Sequence, residues 1–68
     1  MSFDFKPLWK LLIDRGMKRT DLIDAVGISA STLAKMGKNE YVSMEVIDRI
    51  CNYLNCDISD VVEHVKDK

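Results

Sequence analysis

Apolar residues recur along the chain at the three- and four-residue spacing of amphipathic helices, and glycines and capping residues divide them into short blocks. Leu8, Trp9, Leu11, Leu12 and Ile13 predict a first helix over about 5–15, with Asp4 as its cap, Pro7 in its first turn and Gly16 at its end. Its apolar face is broad, so it is covered on more than one side. Trp9 falls at helical spacing from Leu12 and Ile13 and reads as core or core rim. Leu22, Ile23 and Val26 point inward from a second helix over about 19–26. A third spans about 30–37, with Leu33 and Met36 as its only large apolar residues. Ile47, Ile50, Cys51 and Leu54 form the full i, i+3, i+4, i+7 stripe of a fourth helix over about 44–54. Ile58, Val61, Val62 and Val65 repeat that stripe and predict a fifth over about 58–65, packed on the first helix, on a second subunit or on both. No segment alternates convincingly as a strand would.

The residues between these blocks supply the punctuation. Gly27 stands where a helix end favours a left-handed residue, Ile28 turns inward, and Ser29 caps the next helix. A helix, a three- to four-residue turn holding a glycine, and a second helix make a helix-turn-helix signature. Asn39 is placed to terminate the third helix in the left-handed conformation, and Asn55 terminates the fourth. Ser43 caps the fourth, with Glu45 favourably near its N-terminus. In "DISD", Asp57 can cap and Asp60 can reach back as in a capping box.

The third helix is the unusual one. Two inward residues make a narrow stripe, so most of its circumference faces outward. Ala30, Ser31 and Ala34 keep that outer surface low, and Ser29 to Asn39 contains no acidic residue. A major groove admits a helix whose outward side chains near the N-terminus are short. Ala30 can meet a thymine methyl, Ser31 can hydrogen-bond a base edge, and Lys35 can reach guanine acceptors or a phosphate. Lys18, Arg19, Thr20, Lys38 and the loop from Asn39 through Tyr41 to Ser43 are placed to hold the DNA backbone, aided by backbone N–H groups at helix N-termini.

Length and charge narrow the alternatives. A chain of 68 residues buries only about 60% of its unfolded surface, so a single small core is expected. No apolar run approaches the roughly 18 residues of a membrane span, and no signal-type segment opens the chain, so a cytoplasmic protein is expected. The net charge is −1, but residues 1–40 carry seven Lys/Arg against five Asp/Glu, and residues 41–68 carry three against six. Cys51 and Cys56 lack the further ligands a zinc site needs, and His64 stands alone, so no metal or cofactor is expected. Paired carboxylates, a Cys–His pair and a phosphate-cradling glycine loop are all missing from the sequence, which argues against an enzyme.

The stretch "MKRTDLIDAVGISASTLAKMGKNEYVSMEVIDRICNYLNCDISDVV" resembles the lambda-repressor-like, Cro/repressor-type helix-turn-helix domain, also called the xenobiotic response element family. The likeness runs from "LWKLLIDRGM" to "NCDISDVV", essentially the whole chain. It implies an all-α, compact five-helix domain over residues 1–68. Arg19 matches a polar residue that faces phosphate at the opening of the second helix. Leu22, Val26, Gly27 and Ile28 match the apolar and glycine positions of the turn. Ser29, Ala30, Ser31 and Thr32 match the start of the recognition helix, Leu33 and Met36 its buried positions, and Lys35 an outward position that often carries a basic residue. Three residues depart from the pattern: Ala30 stands where many relatives have arginine, Asn39 where glycine is usual, and Ile23 where a small residue is usual.

The residues and the resemblance both point to a sequence-specific double-stranded DNA-binding transcriptional regulator, repressor-like, reading the groove with the helix at about 30–37. A domain this small touches few base pairs, so a homodimer on two half-sites is expected. The alternative is a protein-interaction module on the same scaffold, favoured by the net charge, by Ala30 and by apolar residues such as Phe3, Tyr41, Val61 and Val65.

Overall fold

In the computed structural model, which describes residues 2–66, four α-helices are joined by tight turns and tied at one side by a two-stranded antiparallel sheet. The elements are β1 (Ser2–Asp4), α1 (Lys6–Asp14), α2 (Asp21–Val26), α3 (Ala30–Gly37), α4 (Met44–Leu54), a single 3₁₀ turn (Ile58–Asp60) and β2 (Glu63–Val65). The expected span of 1–68 includes residues 1, 67 and 68, which lie outside the described residues. The fold is that of the helix-turn-helix class.

The expected fifth helix over 58–65 does not form. Its place is taken by the 3₁₀ turn and β2, which pairs with β1 in the register Ser2 with Val65, Phe3 with His64 and Asp4 with Glu63. Of its four apolar residues only Val61 is fully buried; Ile58 and Val65 remain exposed. A helix here would place three β-branched valines on one short stripe, which lowers its helix propensity, and Ser2–Asp4 supplies a strand partner for Glu63–Val65. The start of the chain differs too. Asp4 closes β1, and Phe5 takes the position before the helix. The Asp4 carboxylate nevertheless accepts a hydrogen bond from the Lys6 N–H at 2.8 Å, and Pro7 sits in the first turn, where a missing N–H costs nothing.

The core draws on every helix. Phe5, Leu8 and Leu12 meet Leu22 and Ile28, Met36, then Ile47, Ile50, Leu54 and Val61. Each fully buried large aliphatic side chain contributes about 1.5–3 kcal/mol of transfer free energy, and no polar side chain is buried among them. Trp9, Leu33 and Cys51 pack partly buried on this cluster, while Ile13 is exposed.

Three helix ends repeat one device. After α1, α3 and α4 the backbone turns left-handed at Gly16 (φ +69°), Asn39 (φ +59°) and Asn55 (φ +53°). In each case the next N–H bonds back to a carbonyl in the last turn: Met17 to Leu12 at 2.8 Å, Glu40 to Lys35 at 2.9 Å, and Cys56 to Cys51 at 3.1 Å. Asn39 has a second task, because its Oδ1 accepts from the Phe5 N–H at 3.0 Å and ties the end of α3 to the start of α1. Asn39→Ala should therefore cost about 1–3 kcal/mol in urea unfolding, through both left-handed strain and an unpaired Phe5 N–H. Asn39→Gly relieves the first of these effects only and should cost less than alanine.

Candidate nucleic-acid interface

The turn between α2 and α3 is built from three residues with separate roles. Gly27 adopts φ +83° and closes α2, its N–H bonding to the Ile23 carbonyl at 3.1 Å. Ile28 is buried and pins the turn to the core. Ser29 is extended (φ −83°, ψ 160°) and caps α3, its Oγ accepting from the Thr32 N–H at 3.1 Å.

The Ser29 hydroxyl does more than cap. It donates to Thr32 Oγ1 at 3.0 Å and lies 3.0 Å from Ser31 Oγ. A hydroxyl has one proton to give, so with Ser29 committed to Thr32 the Ser29–Ser31 contact is completed by the Ser31 proton. That leaves the exposed Ser31 oxygen free to accept a further hydrogen bond. Beyond this cluster Ala30, Ala34 and Lys35 are exposed, Leu33 is half-buried and Met36 is fully buried. The result is a low, acid-free ridge with one cation on it.

The flanking candidates divide into two groups. Lys18, Arg19 and Thr20 form a turn leading into α2, which becomes regular only at Asp21. The Lys18 N–H donates to Asp21 Oδ2 at 2.8 Å, and the side chains of all three residues are exposed. The Arg19 guanidinium reaches back over the Trp9 ring, 4.0 Å from its centroid. A Cβ on Gly37 would lie 3.8 Å from Arg19 Nη1, so this cation also borders the last turn of α3. Among the described residues no ion pair involves Lys18, Arg19, Lys35 or Lys38; Arg49 pairs with Glu45 on α4 at 2.7 Å.

The second group lies after α3. Lys38 is exposed at its end. The carbonyl oxygen of the Asn39 side chain is occupied by Phe5 N–H, and Ser43 Oγ caps α4 by accepting from Val46 N–H at 3.3 Å. Tyr41 is exposed and meets Phe3 edge-on at 6.1 Å between centroids. It belongs to an open apolar groove of about 150 Å³, lined also by Phe5, Met44, Ile58 and Val62.

Two features of this region carry no local signal in the sequence. Trp9 supports Arg19 from a different helix, and no short-range pattern joins residues so placed. The groove arises only when β1 and the segment after α4 come together. Burial pushes the thiols of Cys51 and Cys56 up, which disfavours the thiolates that metal binding and nucleophilic attack require. Among the described residues no group of three or more His, Cys, Asp or Glu is placed to hold a metal ion, and no helix is long and apolar enough to cross a membrane.

A helix, a turn closed by a left-handed glycine and a capped second helix with a low outer face define a helix-turn-helix unit of the kind used by DNA-binding transcription regulators. The model of the Cro/C1-type helix-turn-helix DNA-binding domain matches residues 7–67, and the chain belongs to that family. It is similar in structure to the transcriptional regulator VanUg, crystal form II, with 53% sequence identity and a TM-score of 0.93 over 97% of this chain and 88% of that one. No match was found among curated proteins.

Ser29→Ala should lower stability by about 0.5–2 kcal/mol through loss of the α3 cap, read as a shift in the thermal midpoint. Ser31→Ala touches no backbone N–H and should leave that midpoint nearly unchanged.

Proposed function

We propose that residues 1–68 form one domain of a cytoplasmic, repressor-like transcriptional regulator that binds double-stranded DNA in a sequence-specific manner by laying α3 in the major groove. The observation that carries this reading is the outer face of α3, where Ala30, Ser31, Ala34 and Lys35 are exposed and no acid intervenes. Short side chains permit close approach, Lys35 can reach guanine O6 and N7 or a phosphate, and the exposed Ser31 oxygen, free to accept, suits the amino group of adenine or cytosine. Arg19, Lys18, Thr20 and Lys38 serve the phosphates, with Ser29 and Thr32 shaping the helix start. The similarity to VanUg, a transcriptional regulator, supports the same role.

A homodimer fits this function. One α3 spans a few base pairs, and a two-fold pair on half-sites one helical turn apart multiplies modest affinities. The groove beside the end of α3 supports a second copy as the partner: Phe3, Tyr41, Met44 and Ile58 all line it and are exposed. Four large apolar residues exposed in one groove exceed what scattered surface positions explain. On this reading Tyr41 acts at the subunit contact as well as near the DNA, and the operator-bound dimer represses by occupying its site.

The same groove favours a second reading, a protein-interaction module with little DNA affinity of its own. Salt separates the two. Phosphate contacts make log K fall steeply with log salt, whereas an apolar protein contact is nearly indifferent to it.

Selection on a random duplex library at physiological salt should enrich a two-fold symmetric motif, and Lys35→Ala should reshape that motif at a cost of about 1–3 kcal/mol. No enrichment by folded protein would move the search to protein partners. Met44→Glu should shift sedimentation equilibrium towards monomer and weaken duplex binding. A variant that stays dimeric would place the subunit contact elsewhere.

A further inference from the structure

Arg19 is exposed, yet it is held. Its guanidinium carbon lies 4.0 Å from the centroid of the Trp9 ring, and its Nη1 borders the backbone of Gly37, where a Cβ would stand 3.8 Å away. Trp9 itself is partly buried against the core through α1, so the ring is a fixed platform. Three elements therefore meet at one cation: α1 supplies the platform, the turn before α2 supplies the charge, and the last turn of α3 supplies a boundary without a side chain. Stacking uses the face of a guanidinium and leaves its N–H edge free to donate. No hydrogen bond or ion pair occupies Arg19 among the described residues. A freely rotating arginine loses rotamer entropy when it binds a phosphate, and one already stacked has lost much of it beforehand.

We infer that Trp9 is a positioning residue for DNA binding: its ring holds the Arg19 guanidinium as a preformed clamp for one backbone phosphate beside the C-terminal end of α3. The inference rests on the DNA-binding reading above. It assigns Trp9 no contact with DNA of its own, and it makes arginine specifically required at residue 19. Lysine keeps the charge but is a compact, strongly hydrated ammonium without a planar edge.

Binding to a mixed-sequence duplex, measured across a salt series, tests this, with thermal unfolding of each variant alongside. Arg19→Ala should reduce the slope of log K against log salt by about 0.9 for each phosphate that is no longer neutralised. Trp9→Leu should weaken binding about 3- to 30-fold, as expected for a partly desolvated cation–π contact, and Trp9→Phe should recover most of that loss. In an Arg19→Ala background, Trp9→Leu should weaken binding no further. Trp9 is the only tryptophan of the chain, so its emission reports on the stack directly. Arg19→Ala should shift that emission in the absence of DNA, and this arm decides the matter if Trp9→Leu does not fold.

A folded Trp9→Leu that binds like the parent, or that loses as much in the Arg19→Ala background, overturns the positioning role. So does an emission spectrum indifferent to Arg19→Ala. If Arg19→Ala leaves both affinity and salt slope unchanged, the phosphate contact itself is absent, and the failure belongs to the DNA-binding reading at that residue.

Discussion

Met36 is the only side chain of α3 wholly shielded from solvent, and the position of that helix depends on it. A helix of eight residues has little intrinsic stability, so tertiary contacts must hold it. Here they are few: Met36 in the core, Leu33 half-buried beside it, the Ser29 cap at one end and the left-handed Asn39 at the other. Anchoring by one stripe and two ends is what leaves the remaining face of α3 open. A wider apolar stripe would hold the helix better and take away the surface that the family uses.

The rest of the fold compensates for that narrow hold. Ile28 fixes the turn ahead of α3, so the angle between α2 and α3 is set by a buried side chain and not by the turn alone. Asn39 connects the far end of α3 to Phe5, whose own side chain is buried, and β1 just before it is paired with β2. The small sheet thus acts at a distance on α3. Pairing of Ser2–Asp4 with Glu63–Val65 locates Phe5, and Phe5 supplies the N–H that locates Asn39. Neither strand is long enough to be stable alone, and both depend on the helices they brace.

What the sequence made legible was whatever is decided locally. Gly27, Asn39 and Asn55 take the left-handed conformation for reasons intrinsic to glycine and asparagine, and Ser29 and Ser43 cap because the N–H groups they accept lie three residues on. The α4 stripe is likewise a local periodicity, with Ile47, Ile50 and Leu54 all buried. The fifth helix misled for the same reason. Ile58, Val61, Val62 and Val65 have helical spacing, but Val65 and the two residues before it pair with a strand about sixty residues earlier, and a three-residue strand shows no alternation to read. In the candidate interface, Ala30, Ser31 and Lys35 could be placed outward from Leu33 and Met36 alone. The stack of Arg19 on Trp9 and the hydroxyl cluster around Ser29 needed the assembled turns.

The net charge of −1 is the feature least like a DNA-binding protein, and its weight depends on distance. At physiological salt the Debye length is about 8 Å, so exposed charges much farther apart than that scarcely sense one another. The acidic excess lies in the C-terminal part of the sequence, Glu45 and Asp48 on α4, then Asp57, Asp60 and Glu63, although Glu45 comes near the turn through Arg49, whose Nη1 would lie 4.0 Å from a Cβ on Gly27. Of these, Glu45 is already paired with Arg49, and Asp60 accepts from the Asp57 N–H at 3.1 Å as one half of a capping box. The α3 face and the turn before α2 carry Lys18, Arg19, Lys35 and Lys38 against Asp21 and Asp24 at the start of α2, with no acid between Ser29 and Asn39. A phosphate approaching that face would meet more cations than acids there, whatever the total charge. The acids elsewhere lower the net charge and so reduce indiscriminate attraction to DNA, which makes the short-range contacts of α3 a larger share of any affinity.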